Sequence, residues 1–210
     1  MTETITRAVL VGRLLDLAVG PERRIVAIAG PPGAGKSTLA DALQAAIEAA
    51  RPGLSAVLPM DGYHYDDRVL EARGQRPRKG APFTFDVDGL AAMLERLARD
   101  EGRDVAVPVF ERAIEIARAG ARIVPAETRL IILEGNYLLL DDPDWARLRR
   151  FFDATVMLDE PMAVVEARLR HRWADLQGEA LRAKLDDNDL PNARLVLGSS
   201  VAADYRLEEP

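Results

Sequence analysis

A glycine-rich run that ends in lysine and serine is the part of the sequence best suited to chemistry: Gly30-Pro31-Pro32-Gly33-Ala34-Gly35-Lys36-Ser37. It matches the phosphate-binding pattern G-x-x-x-x-G-K-[ST], in which backbone N–H groups surround anionic oxygens at the start of a helix. The composition of the chain predicts about one chance match in a thousand such sequences. We expect Lys36 to reach the β- and γ-phosphates of a nucleotide and Ser37 to bind magnesium. The nucleotide-binding residues predicted from this run are Gly30, Gly33, Ala34, Gly35, Lys36, Ser37 and Thr38.

Two carboxylates stand where hydrophobic runs end. Asp61 follows residues 56–60, and Glu134 follows residues 130–133. The ends of parallel strands face the ligand crevice, so Asp61 is placed to accept a proton from an attacking hydroxyl or to hold magnesium. Glu134 is suited to organising the metal. The alternatives are an ordinary Asp-Gly turn for Asp61 and a capped loop acid for Glu134.

Arginines are concentrated in residues 168–172, where Arg168 and Arg172 are four positions apart and therefore share one face of a predicted helix. Cations on one face suit the binding of a polyphosphate. The alternative is a solvated helix on which arginines pair with Glu166 and Asp175. The sequence does not decide whether Arg170 touches a ligand.

Positioning these residues requires strands that end beside the phosphate-binding run. Short apolar runs alternate with helical patterns along the chain, which predicts an α/β fold with a Rossmann-like P-loop core. We expect a parallel sheet of about five strands flanked by helices. The predicted strands are residues 24–29, 56–60, 105–110, 129–133 and 151–158. The predicted helices are residues 4–19, 37–51, 67–73, 86–100 and 162–177, and residues 114–124 are interpreted as a small hairpin around Ala119-Gly120.

Composition limits the classes of function. The chain has 210 residues, no cysteine and a formal net charge of −6, so disulfides and cysteine-ligated metals are excluded. The negative charge disfavours a nucleic-acid or anionic-lipid surface. No repeat or linker divides the chain, so we expect one domain over residues 1–210. The absence of a signal peptide or membrane-spanning run predicts a cytoplasmic protein without nucleic-acid or membrane partners.

Several motifs occur in the order found in a known family: residues 30–37, 60–63, 81–86, 108–112 and 134–137. In this respect the chain resembles the phosphoribulokinase, uridine kinase and pantothenate kinase group. The likeness extends to small bacterial kinases described as fructose-transport-system or nucleoside-kinase-like proteins, and it spans residues 25–175. The resemblance implies an ATP-dependent kinase that phosphorylates a hydroxyl of a small metabolite.

The resemblance also implies particular roles. ATP and Mg²⁺ would be the cofactors, with Ser37 and Glu134 at the metal. Asp61 would be the general base, and Lys36 would contact the transferring phosphoryl group. A helical lid over residues 161–190 would bring Arg168 and Arg172 over that group.

The acceptor pocket is less clearly marked. Tyr63, His64, Arg112 and Tyr137 are candidate substrate ligands together with Asp61 and Glu134. The sequence Phe110-Glu111-Arg112 departs from the Tyr-Asp form familiar in uridine kinase, which removes the basis for a tyrosine contact there. His64 is as well explained by a structural hydrogen bond. The tail residues Asn188, Asp189 and Asn192 resemble the family's segment near the adenine.

The sequence does not identify the acceptor molecule. Family likeness favours a sugar such as fructose, followed by a nucleoside or a pantothenate-type substrate. The cationic residues 73–79 suggest a second possibility, a kinase for a phosphorylated acceptor. A nucleotide-binding switch without transferase activity is the alternative from another class, although the guanine-binding signature Asn-Lys-x-Asp is absent. The oligomeric state is also open, with a homodimer compatible with the sequence.

Overall fold

A six-stranded parallel sheet forms the centre of the protein in the computed structural model, which describes residues 1–207. Its strand order is β1-β8-β7-β2-β6-β3, and every neighbouring pair is parallel. The strands are β1 (Glu3–Ile5), β2 (Arg24–Ala29), β3 (Ser55–Pro59), β6 (Leu130–Gly135), β7 (Ala154–Met157) and β8 (Tyr205–Leu207). A separate antiparallel pair consists of β4 (Val105–Glu111) and β5 (Ile116–Val124).

Helices cover both faces of the sheet, which confirms the predicted α/β class. They are α1 (Arg7–Leu17), α2 (Lys36–Ala50), α3 (Asp67–Ala72), α4 (Val87–Arg99), α5 (Pro143–Ala146), α6 (Met162–Arg172), α7 (Gly178–Lys184) and α8 (Leu190–Ser199). None of the helices within residues 1–207 is both long enough and apolar enough to cross a membrane.

Strand β2 shows why the central runs are continuously hydrophobic. Ile25, Ala27 and Ala29 pack into one core layer, which also contains residues of α4. Val26 and Ile28 face the opposite layer, which contains residues of α2. Because successive side chains of a strand point to opposite faces, a strand covered on both sides needs apolar residues at every position.

The sheet has one strand more than the five expected, and the predicted strand at residues 105–110 lies outside it. The two additional strands are β1 and β8, which have three residues each and pair with one another. Residues 4–19 were expected to be helical throughout, but the helix begins at Arg7 after a Thr6 cap. Strands this short carry too few residues to show an alternating pattern.

The hairpin is real, but its predicted turn is wrong. The chain reverses between Glu111 and Ile116, whereas Ala119 and Gly120 lie inside β5. Glu115 has a φ of 55°, which supplies the left-handed conformation for the turn without a glycine. Most of β5 is exposed on both faces, so its sequence does not alternate between apolar and polar residues.

The C-terminal helical segment is more divided than predicted. Helix α6 ends at Arg172 instead of continuing to residue 177, and α7 starts at Gly178 with a φ of 55°. A π-helical turn, Leu185–Asp189, then joins α7 to α8. The apolar tail residues 194–197 belong to α8. This segment brings Asn188 and Asp189 beside the phosphate-binding run.

Candidate active site

The phosphate-binding run forms the turn between β2 and α2, with Lys36 as the first helical residue. Gly33 and Gly35 have φ values of 81° and 94°, in the left-handed region that glycine adopts without steric strain. This backbone leads into the start of α2, where unpaired N–H groups favour anions. The predicted strand, loop and helix context is therefore present.

Lys36 lies inside this turn, with 7% of its surface exposed. Its Nζ donates hydrogen bonds to the Pro31 carbonyl at 2.9 Å and to Asn136 Oδ1 at 2.6 Å. Burial lowers the pKa of Lys36 to about 8. Asn136 was not singled out as a site residue, although it stands in the Glu134-Gly135-Asn136-Tyr137 motif. It supplies an oxygen that orients the lysine.

Asp61, Glu134 and Ser37 line one cavity of about 320 Å³ at the carboxyl ends of β3 and β6. Asp61 lies in the turn Met60–Tyr63, which packs directly against the hairpin. A side chain at Gly62 would place its Cβ 2.5 Å from the Pro108 carbonyl oxygen, so glycine permits this close approach. The structure thus brings the two predicted carboxylates together with the phosphate-binding turn.

Glu134 lines the cavity but is largely buried, with 7% of its surface exposed. Burial raises its pKa to about 7, and the negative charge of Asp61 acts in the same direction. Lys36 and Ser37 act in the opposite direction. A buried carboxylate beside a hydroxyl provides hard oxygen donors, the ligand type that Mg²⁺ prefers. Within residues 1–207 no three acidic, histidine or cysteine side chains form a metal site, so phosphate oxygens would have to complete the coordination.

Arg112 forms an ion pair with Asp61, with 2.8 Å between Nη2 and Oδ2. It stands on the hairpin turn, and its side chain is 64% exposed. The position puts a cation at the mouth of the cavity, next to the carboxylate that an acceptor hydroxyl would approach. Phe110 and Glu115 from the same hairpin also line the cavity.

The two predicted lid arginines occupy different positions. Arg172 lines the cavity that contains Lys36 and Asp61. Arg168 lies on the outer side of the phosphate-binding turn, where it donates to the Ala34 carbonyl at 3.2 Å and pairs with Glu160 at 2.8 Å. A neighbouring cavity of about 390 Å³ is lined by both arginines and Thr38.

Arg170 lies on the solvent-exposed face of α6 and pairs with Glu166, as the alternative interpretation of this helix predicts. Its guanidinium pairs with Glu166 at 2.7 Å, one helical turn away. The side chains of both residues are more than a third exposed, so this pair belongs to the outer surface of α6.

The aromatic candidates divide into one cavity residue and two core residues. His64 lines the cavity, and its Nδ1 lies 2.8 Å from the Asp61 carbonyl oxygen. Tyr63 is 7% exposed and packs in the core, where its hydroxyl is buried without a hydrogen-bond partner. Tyr137 is fully buried and donates its hydroxyl hydrogen to the Gly80 carbonyl. Burial raises the pKa of both tyrosines, and neither lines the cavity.

Lys79 and Asn188 are further cavity residues. Lys79 is buried, and its Nζ contacts Asp67 at 2.6 Å and the Glu115 carbonyl. Asn188 donates from Nδ2 to the Lys79 carbonyl at 2.7 Å, which ties the π-helical turn to the basic loop. The family resemblance points to Asn188 through the tail segment, whereas the sequence marks Lys79 only as part of a charged run.

Asp189 lies beside Asn188 and accepts a hydrogen bond from Trp173 Nε1 at 2.8 Å. Burial raises the pKa of this carboxyl. Both residues line the cavity, so the end of α6 and the π-helical turn are held together at its rim.

The fold and this site define a P-loop kinase of small molecules. The family model "Phosphoribulokinase / Uridine kinase family" matches residues 25–183, and the chain belongs to that family. It therefore transfers phosphate to a hydroxyl group, the chemistry the sequence predicts.

Individual relatives extend over nearly the whole chain. A Schizosaccharomyces pombe protein provisionally described as a uridine kinase is 31% identical, covering 95% of this chain and 89% of its own. The uncharacterised Escherichia coli protein YggC is 36% identical, with 90% and 80% covered. A crystal structure from Silicibacter sp. TM1040, provisionally described as a fructose transport system kinase, is 44% identical with a TM-score of 0.88. That comparison covers 96% of this chain and 98% of the other.

Proposed function

We propose that this protein transfers the γ-phosphoryl group of Mg-ATP to a hydroxyl of a sugar such as fructose. The observation that carries the proposal is the convergence of Lys36, Asp61 and Arg172 on one cavity of about 320 Å³. These side chains supply a phosphate ligand, a proton acceptor and a cation for developing charge. We further propose that residues 1–210 form one domain, that residues 161–190 act as its lid, and that it works in the cytoplasm.

In this mechanism the residues mainly position and neutralise the reacting groups. Residues 30–38 bind the phosphates, and Lys36 contacts the β- and γ-phosphates. Asp61 orients the acceptor hydroxyl and takes its proton as the new oxygen–phosphorus bond forms. The bond between the γ-phosphorus and the β,γ-bridging oxygen breaks, and ADP leaves with that oxygen. Arg172, with Arg168 after lid movement, stabilises charge on the transferring group.

The donor set fits magnesium, with the Ser37 hydroxyl and the Glu134 carboxylate as protein ligands. When bound, the ion would neutralise charge on the β- and γ-phosphates. Lys36 and Arg112 both act on the Glu134 carboxylate, but Lys36 is directed to Pro31 and Asn136, and Arg112 pairs with Asp61. A magnesium ion would therefore compensate a buried carboxylate.

A sugar acceptor is supported by the relative from Silicibacter and by the polar lining of the cavity. His64, Arg112, Asn188 and Asp189 offer hydrogen-bond donors and acceptors suited to hydroxyl groups. A nucleoside is the second candidate, because Phe110 and Trp173 also line this cavity and offer rings against which a base can stack.

The test is a phosphoryl-transfer assay of the purified protein with Mg-ATP and a panel of sugars, nucleosides and pantothenate. We expect a sugar to give the highest kcat/KM. A nucleoside as the best acceptor would replace the sugar assignment. Tight nucleotide binding with slow hydrolysis and no transfer to any acceptor would overturn the kinase proposal in favour of a switch.

A further inference from the structure

A second cleft, of about 760 Å³, adjoins the catalytic cavity at Asn192. Its walls come from residues 73–88, residues 140–147 and α8. Within residues 1–207, Asn192 is the one residue that lines both spaces, and Asp61 and Lys36 line only the first. A volume of this size is ample for a metabolite, since small-molecule sites commonly occupy about 300–1,000 Å³.

The basic run at residues 73–79 is divided between two roles. Arg76 and Lys79 both pair with Asp67, at 2.7 Å and 2.6 Å, so they share one carboxylate. Arg73 and Arg78 instead line the second cleft. Among the described residues, neither of these two forms an ion pair with a carboxylate.

The partners of these two arginines are uncharged. The Arg73 guanidinium lies over the Tyr65 ring, 4.5 Å from its centroid. Arg78 donates to the side-chain oxygens of Asn188 and Asn192 at 3.3 Å and 3.4 Å. Two positive charges therefore face the cleft and attract an anion.

Four aspartates also line the cleft, and three of them already have partners. Asp88 forms an ion pair with Arg147. Asp141 pairs with Arg149 at 3.3 Å. Asp142 caps α5 by accepting a hydrogen bond from a backbone N–H at 3.0 Å. Asp144 is exposed on α5, and among the described residues neither Asp142 nor Asp144 forms an ion pair. The unpaired carboxylates of the cleft therefore belong to residues 142–144, and its positive wall is the one formed by residues 73–78.

The other walls are apolar. Phe83 and Leu195 are 48% and 37% exposed, which is high for large hydrophobic side chains. They line the same cleft as Trp145 and Pro191. A ligand with a flat apolar body would bury this surface while its charged group reaches the arginines.

We propose that the second cleft binds a small anion with an aromatic or apolar body, such as an aromatic phosphate ester or carboxylate. The anionic group pairs with Arg73 and Arg78, and the body packs on Phe83, Trp145 and Leu195. Because Asp61 does not line this space, the molecule is a ligand of the kinase and not its phosphoryl acceptor. Arg78 connects the site to Asn188, which lines the catalytic cavity.

The test is calorimetric titration with 1-naphthyl phosphate in the presence of saturating Mg-AMP-PNP. We expect one site in the wild type and at least fivefold weaker binding in Arg73→Ala. Arg68→Ala, an exposed control on α3, the helix that Arg73 follows, should bind as the wild type does. Uncharged 1-naphthol should bind at least tenfold more weakly. Binding abolished by Mg-AMP-PNP, absent in the wild type or equal in the two variants would overturn the proposal.

A second variant tests the location by filling the cleft. Leu195→Trp enlarges an exposed side chain of α8 that lines the cleft, so it should block the probe. Arg194→Trp places the same ring one residue away, outside the lining set, and should leave binding unchanged. Equal binding in these two variants would contradict the assigned cleft.

Discussion

Arg112 forms an ion pair with Asp61, with 2.8 Å between the guanidinium and the carboxylate. This pair links the tip of the hairpin to the turn that follows β3. The two residues are far apart in sequence, and neither the P-loop motif nor the strand pattern predicts their pairing. An acceptor hydroxyl that approaches Asp61 must share or replace this contact. In the proposed mechanism the hairpin therefore helps to present the acceptor to Asp61.

Asp61→Asn keeps the shape of the side chain and removes its ability to accept the hydroxyl proton. We expect kcat to fall by about 10²- to 10⁴-fold, the usual contribution of a general base, while AMP-PNP binding persists. Steady-state ADP release and nucleotide titration measure the two effects. Glu111→Gln, on the neighbouring hairpin, is the control. Turnover within threefold of the wild type in Asp61→Asn would reject the assignment.

Arg112→Ala removes the cation that faces Asp61 and the acceptor. We expect the acceptor KM to rise about tenfold, because hydrogen bonds to charged groups contribute about 1.5–3 kcal/mol. The KM for ATP should change by less than twofold. Arg118→Ala alters a neighbouring exposed arginine of β5 and should have little effect on either constant. A change confined to the ATP constant would show that Arg112 serves the nucleotide instead.

Asn136→Ala removes the oxygen that accepts a 2.6 Å hydrogen bond from Lys36. The ammonium then loses one of its two fixed partners, so we expect kcat to fall about tenfold through poorer positioning. Mg-AMP-PNP should also raise the unfolding temperature less than it does in the wild type. The unfolding temperature measured without nucleotide shows whether the substitution also affects the stability of the fold. Unchanged kcat with an unchanged nucleotide effect would mean that Lys36 needs no orientation by Asn136.

Local sequence patterns predict only part of this site. Buried parallel strands and the phosphate-binding turn are local features, so Lys36, Asp61 and Glu134 were predicted beside one another. Whether Tyr63 and Tyr137 face a cavity or the core depends on packing between distant segments, which the motif does not encode. The hairpin turn was misplaced because the exposed β5 lacks a buried face. Asn136 was predictable only as a member of its motif.

His64 should make stability depend on pH. Burial lowers its pKa, with Lys79 and Arg112 acting in the same direction and Asp61 opposing them. As the pH falls through about 6.5, the unfolded chain gains a proton that the folded protein resists, so the free energy of unfolding decreases. We expect this group to contribute a loss of stability between pH 7.5 and pH 5.5.

His64→Phe should abolish that part of the loss while keeping a ring between Phe85 and Phe110, which lie 4.0 Å and 4.6 Å from the imidazole centroid. Urea unfolding at pH 7.5 and pH 5.5 measures the loss in the free energy of unfolding. His171→Phe, on the exposed surface of α6, is the control and should retain the full loss. Equal losses in the two variants would contradict a buried neutral His64.

Arg23 is the clearest case of a charged residue that serves the fold. Its side chain is 1% exposed and pairs with Asp100 at 2.8 Å. It also donates hydrogen bonds to the Leu97 and Thr128 carbonyls at 3.2 Å and 2.9 Å, joining the end of α4 to the chain that enters β6. Arginine before a strand normally suggests a surface residue, so the sequence gives no sign of this role.

Arg23→Met should lower the free energy of unfolding by about 3 kcal/mol, because it leaves buried carbonyl groups unpaired and Asp100 with Arg129 as its remaining cation. Arg13→Met is the matched control, since Arg13 is 51% exposed and pairs with an exposed Glu3. Exposed pairs contribute about 0–1 kcal/mol. Urea midpoints compare the variants. If both substitutions cost the same, the buried contacts of Arg23 do not stabilise the fold, and the end of α4 must be held by its apolar face alone.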